Sequence, residues 1–383
     1  MKSALLGALC VVVLCIILSL GLWPFHDPPN QVRWMQSSDG IEFGRYGTVL
    51  GSGELAGSQT EGDSIEIWVQ PDHWLGSATL LALYQPQKSV LFTLNQSLTD
   101  LELQIESGSS KTHFYVGEAL APALQQKKAV FITVTSGQAG TSVYRDGVLI
   151  MTAPRFSIPP EAFAGRPILG DRPGQPDSFR GQIRGLAIYD RELNAAQVLR
   201  HYRSWTGNGA PEIAPEERNI ALYLFNEETG RVIHNHVSGG VDLDIPKRYS
   251  VVDKVALEPF WREFDFSESY WSGNLKNIVG FLPVGFCFYA WILAVRPGGR
   301  PVLLTVVVGF LISLTIEVLQ IFLPTRDSGT TDLFTNLLGT YLGVLCYREI
   351  YPMIVKRFPI LGFMQATEPQ PAASSKHPTH CSS

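Results

Sequence analysis

Between Pro24 and Ser250 the chain has no cysteine, since its five lie at Cys10, Cys15, Cys287, Cys346 and Cys381. That stretch has no internal disulfide, so packing alone must hold it. Basic charge is also scarce. Thirty Lys and Arg stand against 35 Asp and Glu in 383 residues, a net charge of −5. No basic surface is left for a phosphate backbone, which excludes nucleic acid as a partner. Charge of either sign is nearly missing from three runs, Ala4 to Trp23, Asn277 to Val295 and Pro301 to Leu323, and from a shorter one, Leu333 to Tyr347. A helix of roughly 20 apolar residues matches the ~30 Å hydrocarbon core of a bilayer. The first three runs therefore read as membrane spans, and the fourth joins them with Asp332 and Arg348 at the interfaces. The lipid bilayer is the first partner.

The opening run is longer than a signal-peptide core and shows no small-x-small cleavage site before Pro24, so it reads as a retained anchor. With Lys2 inside, the region after Trp23 lies outside. The loop Arg296-Pro297-Gly298-Gly299-Arg300 returns inside with two arginines, Pro324 to Thr331 lies outside, and Arg348, Lys356 and Arg357 lie inside again. Four crossings with both termini cytoplasmic satisfy the positive-inside bias.

What fills the space between the first two spans is a water-soluble domain. Ile65, Ile67 and Val69 alternate with Glu66, Trp68 and Gln70, the period of a half-buried strand. Similar runs recur at Thr79 to Tyr84, Val90 to Leu94, Leu101 to Ile105, Ala129 to Thr135, Ser142 to Tyr144, Val148 to Thr152 and Gly181 to Tyr189. Short strands at this spacing, punctuated by Gly, Pro, Asn and Asp, argue for an all-β sandwich. Asp146-Gly147 is a tight-turn signal between two of them. Three segments carry a family resemblance: Ile65 to Pro71, the Val143 to Gly147 hairpin, and Phe179 to Leu193 with its Tyr189-Asp190-Arg191-Glu192-Leu193 ending. Together they resemble the LamG-like, concanavalin A-like lectin/glucanase jelly rolls, over roughly Val32 to Tyr249. The resemblance implies a helix from Asn194 to Trp205 and places the run from Ile220 to Gly230 in the same sandwich.

The fold does not choose a function. The glucanase branch uses an E-x-D-x-x-E strand for acid and nucleophile work, and no such triplet occurs. Glu61, Asp63 and Glu66 come nearest, and they read as solvated carboxylates. Carbohydrate binding needs aromatic faces and planar polar groups at a rim, for which Trp74, Trp205, His73 and His201 are the candidates. Core packing of the tryptophans is the competing reading. Calcium is the one candidate cofactor, through Asp171, Asp177 or Asp190, as in some relatives of this fold.

The spans themselves hold a second pattern. Asn277 opens one span and Pro283, which should kink it, precedes Gly285. Glu317 and Gln320 end the next, Arg326 follows in the outer loop, and Asp332 and Asn336 sit one turn apart at the start of the last. Gly339 and Gly343 form a small-x-x-x-small pair that permits close helix contact. By depth, Asn277, Glu317, Gln320, Arg326, Asp332 and Asn336 fall at one outer level. A carboxylate in a span needs partners, so the six read either as a cluster that locks helices or as a polar pocket for a ligand headgroup.

The order of these residues, N-x-x-x-F-x-P-x-G, E-x-x-Q-x-F-x-P-x-R and D-x-x-x-N-x-x-G, resembles the VanZ-like family. That resemblance implies a small polytopic protein of a bacterial inner membrane, in a family with one member associated with glycopeptide resistance. It implies no particular reaction. The expected layout is a first membrane helix (1–25), the LamG-like domain (26–249) inserted in an outer loop (250–276), three membrane helices (277–350), and a mostly disordered cytoplasmic tail (351–383). The first functional hypothesis is a non-enzymatic envelope protein whose sandwich binds glycan or protein and whose bundle takes a lipid-linked saccharide or other envelope ligand. The alternative is an enzyme acting on a lipid-linked saccharide, with Glu317 or Asp332 as general base and Arg326 on a phosphate. Against it stand the missing nucleophile motif and the lack of a nearby histidine.

Overall fold

The computed structural model describes residues 2–55, 62–72, 77–85, 87, 90–108, 110–174, 176–264 and 268–358. The tail read as disordered lies almost wholly outside them, as do His73, Trp74 and Glu61. Two compact units divide the chain: one takes Pro24–Val255 and Leu323–Asp327, the other Met1–Trp23, Ala256–Phe322 and the chain from Ser328 onward.

The first unit is a β-sandwich. Its strands are β1 (Val32–Trp34), β2 (Ile41–Phe43), β3 (Val49–Gly51), β4 (Asp63–Pro71), β5 (Ser77–Gln85), β6 (Val90–Ser97), β7 (Asp100–Ser107) and β8 (Ser110–Val116). After helix α2 (Ala121–Gln126) come β9 (Val130–Gly137), β10 (Gly140–Arg145), β11 (Val148–Ala153), β12 (Arg166–Leu169) and β13 (Gly181–Tyr189). Helix α3 (Ala195–Asn208) and strands β14 (Asn219–Tyr223), β15 (Val232–Ile233) and β16 (Leu243–Asp244) complete it. One sheet runs β1-β2-β13-β4-β9-β10-β11, with β14 also on β13, and the other runs β15-β16-β3-β12-β5-β6-β7-β8.

Strand alternation builds the core. Ile65, Ile67 and Val69 of β4 share one buried cluster with Leu81 and Leu83 of β5, Phe92 and Leu94 of β6, and Leu101 and Leu103 of β7. Each such side chain, fully buried, contributes about 1.5–3 kcal/mol. Asp146 and Gly147 turn β10 into β11 with φ of 52° and 78°, the left-handed geometry that Asp-Gly accommodates. Helix α3 covers the outside of the first sheet. Asn194 caps it, accepting from the Ala196 and Gln197 N–H groups while Gln197 reaches back to the Asn194 N–H, a reciprocal cap.

The second unit is helical: α1 (Lys2–Leu22), α4 (Phe260–Glu263), α5 (Glu268–Val295), α6 (Pro301–Gln320), α7 (Thr330–Leu345) and α8 (Tyr351–Arg357). Among the described residues three helices, α1, α5 and α6, are long and apolar enough to cross a membrane. Two boundaries differ from the sequence reading. Helix α5 starts at Glu268 rather than Asn277, and α6 stops at Gln320 rather than Leu323, where the approach to Pro324 disfavours helical backbone. Helix α7 has only 16 residues, but a five-residue π-helical turn, Cys346–Ile350, joins it to α8.

Helix α1 is built into this unit, with Leu6, Cys10, Val13 and Ile17 in one cluster with Phe281, Val284 and Cys287 of α5. Helices α5 and α7 meet almost backbone to backbone. A Cβ on Gly285 would collide with the Thr340 carbonyl, on Gly339 with that of Ile278, and on Gly343 with that of Leu282. Pro283 lies inside α5 between the contacts made by Leu282 and Gly285.

Candidate functional site

The two faces of the sandwich differ in what covers them. Under α3, on the first sheet, His201 is fully buried between two carboxylates. Its Nδ1 lies 2.9 Å from Glu66 Oε1 and its Nε2 lies 3.1 Å from Glu217 Oε2. Tyr189 Oη donates to Glu66 Oε2 at 2.7 Å, the Ala214 N–H donates to Glu217 Oε2 at 2.7 Å, and Arg200 pairs with Glu217 Oε1. Burial opposes protonation of His201, but the Glu66 and Glu217 carboxylates outweigh it and raise its pKa. Glu217 is likewise disfavoured as an anion by burial, yet the Ala214 N–H and His201 hold its pKa below the usual value. An imidazolium clamped by two carboxylates ties α3 and the Glu217 loop to β4.

This corrects two sequence readings. His201 and Trp205 are not glycan contacts, because both are fully buried. The Trp205 ring fills the space over Gly185, where a Cβ would strike it. Glu66 is no solvated carboxylate but a fully buried ion-pair partner, and Asp63 beside it is buried as well. Strand alternation hid this, since it separates the two faces of β4 without telling that α3 would cover the second.

The outer face of the other sheet is polar over β6–β8. Register aligns Asn95 with Glu102 and Thr93 with Gln104 across β6 and β7, then Glu102 with Tyr115, Gln104 with His113 and Glu106 with Lys111 across β7 and β8. Because side chains alternate, these polar groups share one face. They form a connected network in which Thr93, Asn95, Glu102 and Gln104 are buried and Lys111, His113 and Tyr115 are exposed. His113 Nδ1 lies 2.6 Å from Glu102 Oε1, Asn95 Nδ2 donates to Thr93 Oγ1 at 3.0 Å, and Arg172 donates to Glu106 Oε1 at 2.8 Å. The His113 and Tyr115 rings stack at 6.2 Å with only 6° between their planes, and Tyr115 is 52% exposed.

A loop after β12 borders this face. Asp171 Oδ1 accepts from the Arg172 and Asp177 N–H groups at 2.9 and 2.8 Å, and its Oδ2 accepts from Tyr249 Oη at 2.5 Å. Asp177 Oδ2 accepts from Thr79 Oγ1 at 2.8 Å. Burial pushes the Asp171 carboxyl up to about 7 and raises Asp177 as well. The three calcium candidates do not converge: Asp190 instead pairs with Arg218 at 2.8 Å, and both Asp171 oxygens already receive protein donors. Among the described residues no group of three or more His, Cys, Asp or Glu is arranged to hold a metal.

In the helical unit the polar residues gather at the start of α7. Its first residues expose backbone N–H groups that need acceptors, and Gly329 has no side chain to cap them. Glu317 of α6 accepts from the Gly329 N–H at 2.9 Å, and Glu263 accepts from the Thr331 N–H at 2.8 Å. Asn277 Nδ2 donates to Asp332 Oδ1 at 2.7 Å, and Asn336 Nδ2 donates to Ser313 Oγ at 2.9 Å. Gln320 Nε2 donates to the Gly21 carbonyl of α1 at 2.9 Å. Arg326 lies with the sandwich unit. The sequence reading missed Glu263 and Ser313. A carboxylate just before a span was the available signal for Glu263, whereas hydroxyls at buried helix positions gave none.

Taken together, these features define a membrane protein carrying a lectin-like sandwich. A family model for VanZ/LLP1 matches residues 221–355, and one for the Concanavalin A-like lectin/glucanases superfamily matches residues 43–199. The chain therefore joins a VanZ/LLP1 region to a concanavalin A-like domain, as its motifs indicated; the VanZ/LLP1 match reaches back to β14 and leaves α1 outside. No curated protein matches the chain. Similar solved structures include a heptameric SAP-like pentraxin from Limulus polyphemus, at 12% identity over 59% of this chain and 98% of that one, with a TM-score of 0.35. A putative carbohydrate binding protein from Bacteroides ovatus shares 11% identity over 57% of this chain and 61% of that one, with a TM-score of 0.38. The CBM40 of a Ruminococcus gnavus IT-sialidase, bound to alpha2,3 sialyllactose, shares 14% over 42% and 95%, with a TM-score of 0.31.

Proposed function

We propose that this chain is a multi-pass protein of a bacterial inner membrane that binds glycan on the outside through its sandwich and receives an envelope ligand at the start of α7. The observation that carries the glycan reading is the outer face of β6–β8, where the exposed His113–Tyr115 stack lies beside the half-buried Glu106–Arg172 pair, with the buried Asn95, Glu102 and Gln104 beneath. A sugar offers hydroxyls to planar polar groups and a C–H face to an exposed ring, and this surface supplies both. The ligand is an envelope glycan or the saccharide of a lipid-linked carrier.

Four crossings complete the reading: α1, α5, α6, and α7 with its π-helical turn. Arginines 296, 300 and 348 with Lys2 and Lys356 then lie on the cytoplasmic side, as the positive-inside bias requires, and both termini are cytoplasmic. The test is a glycan array probed with the detergent-solubilised full-length chain. Binding that falls at least tenfold in Tyr115→Ala and Glu102→Gln supports the reading. Binding that ignores both changes, or is absent for every glycan, overturns it.

A further inference from the structure

We infer that the start of α7 binds a primary ammonium group carried by a lipid headgroup, between Asp332, Glu263, Thr331 and Asn336. This rests on the reading of the helical unit as a membrane bundle with a polar site for an envelope ligand, and it names the chemistry of that ligand.

The site is rich in acceptors and short of cations. Asp332 and Glu263 bracket one helix turn, since Glu263 accepts from the Thr331 N–H and Asp332 follows directly. Neither has an ion-pair partner among the described residues; Asp332 holds only the Asn277 amide and Glu263 only the backbone N–H. The dipole of α7 offsets part of this charge, but it does not account for two further groups. Asn336 Oδ1 and Thr331 Oγ1 have no hydrogen-bond partner, although the residues are only 4% and 8% exposed. Buried polar atoms without partners are costly and rare. Asn336 lies one turn beyond Asp332 on the same helix face, with its amide nitrogen already on Ser313.

What would satisfy such a set is a compact cation with several N–H donors. A phosphate would meet two carboxylates and no cation. A quaternary ammonium has the charge but no hydrogen to donate. A metal ion would want more anionic ligands than converge here, since no group of three forms among the described residues. A primary ammonium has three donors on a point charge.

The lipid source follows from what surrounds the opening. Asp332 and Asn277 are half-buried, so the carboxylate is within reach of the surface. Nearby segments of the same unit expose Phe260, Trp261, Phe264 and Trp271 at 50%, 68%, 49% and 54%, and Phe260 packs edge-on against Phe334 of α7. Aromatic residues of this kind mark the headgroup level of a bilayer.

The experiment is native mass spectrometry of the full-length chain with added phosphatidylethanolamine, phosphatidylcholine or phosphatidylglycerol, with free ethanolamine and magnesium as further arms. Phosphatidylethanolamine is expected to bind at least tenfold better than phosphatidylcholine, and Asp332→Asn and Glu263→Gln each to erase that preference. Two variants on different elements guard against one that fails to fold, and tryptophan fluorescence checks that each is intact. Equal binding of the amine and choline lipids, a preference that survives both substitutions, magnesium that occupies the site alone, or free ethanolamine that binds as well as the lipid would each overturn the inference. Asp332-dependent binding of phosphatidylglycerol would sink the ammonium assignment and leave the broader envelope-ligand reading standing. Loss of any Asp332 dependence would sink both.

Discussion

The two units differ most in what they expose. In the sandwich the core is apolar, from Ile65 to Leu103, and a deeply buried charge cluster is closed pair by pair around His201. In the helical unit the buried faces carry Thr305, Ser313, Glu317, Gln320, Asn336 and Thr340, while Val11, Ile16, Leu20, Leu303, Leu311 and Phe322 point outward. Water drives the first arrangement, because only apolar burial is rewarded there. A bilayer removes that drive between helices, leaving small-residue contact and hydrogen bonding to hold them. Exposed apolar side chains are therefore the solvent-matched surface of one unit and would be a liability on the other.

That contrast can be broken most severely at His201. His201→Ala leaves Glu66 buried without its counter-charge and Glu217 with Arg200 alone, and is expected to cost the sandwich about 3–5 kcal/mol, read as a lowered melting temperature with the helical unit still inserted. Next comes the α5–α7 contact: Gly343→Val forces two backbones apart, at about 1–3 kcal/mol. It should release detergent-resistant helix packing, measured by protease protection, and leave the sandwich melt unchanged. Equal damage to both units from either change would show that their stabilities are not separate.

Titration sharpens the same difference, because it concerns only the sandwich. The His201 pKa is raised, so its stabilisation is complete below about pH 6.5 and is lost as pH climbs through the raised value. Asp171 acts in the same direction: raised from 3.8 to about 7, its native carboxyl keeps a proton that the unfolded chain releases, so stability falls across that interval. The sandwich melting temperature should decline from about pH 4 to about pH 7 through Asp171 and go on declining above about pH 6.5 through His201, and His201→Gln should flatten the upper part of that slope. A slope unchanged by His201→Gln would refute the clamp. The smallest effect is expected at the α3 cap, where Asn194→Ala should cost about 1 kcal/mol by thermal melting.

Much of this was legible in the chain. The alternation from Ile65 to Val69 gave β4, Asp146-Gly147 gave the turn from β10 to β11, and the family resemblance placed the start of α3 at Asn194. Strand β8 was missed because Ser110 to Val116 has little apolar alternation, yet it is the strand that carries His113 and Tyr115. The candidate site suffered most from this. Aromatic and histidine side chains were chosen by type, and two of the four, Trp205 and His201, are buried.

Sequence alone determined the class of each region, because hydrophobic period and run length are local properties: apolar runs of membrane length at either side, and short alternating strands between. The Gly339–Gly343 spacing was written there too, since four residues return to one helix face. Only the tertiary structure decided which acceptors meet which donors. Glu66 and Glu217 reach His201 from 135 and 16 residues away, and Glu263 reaches the Thr331 N–H from 68 residues away. Burial and pairing of a polar group depend on elements that arrive from elsewhere in the chain, and no local pattern records their arrival.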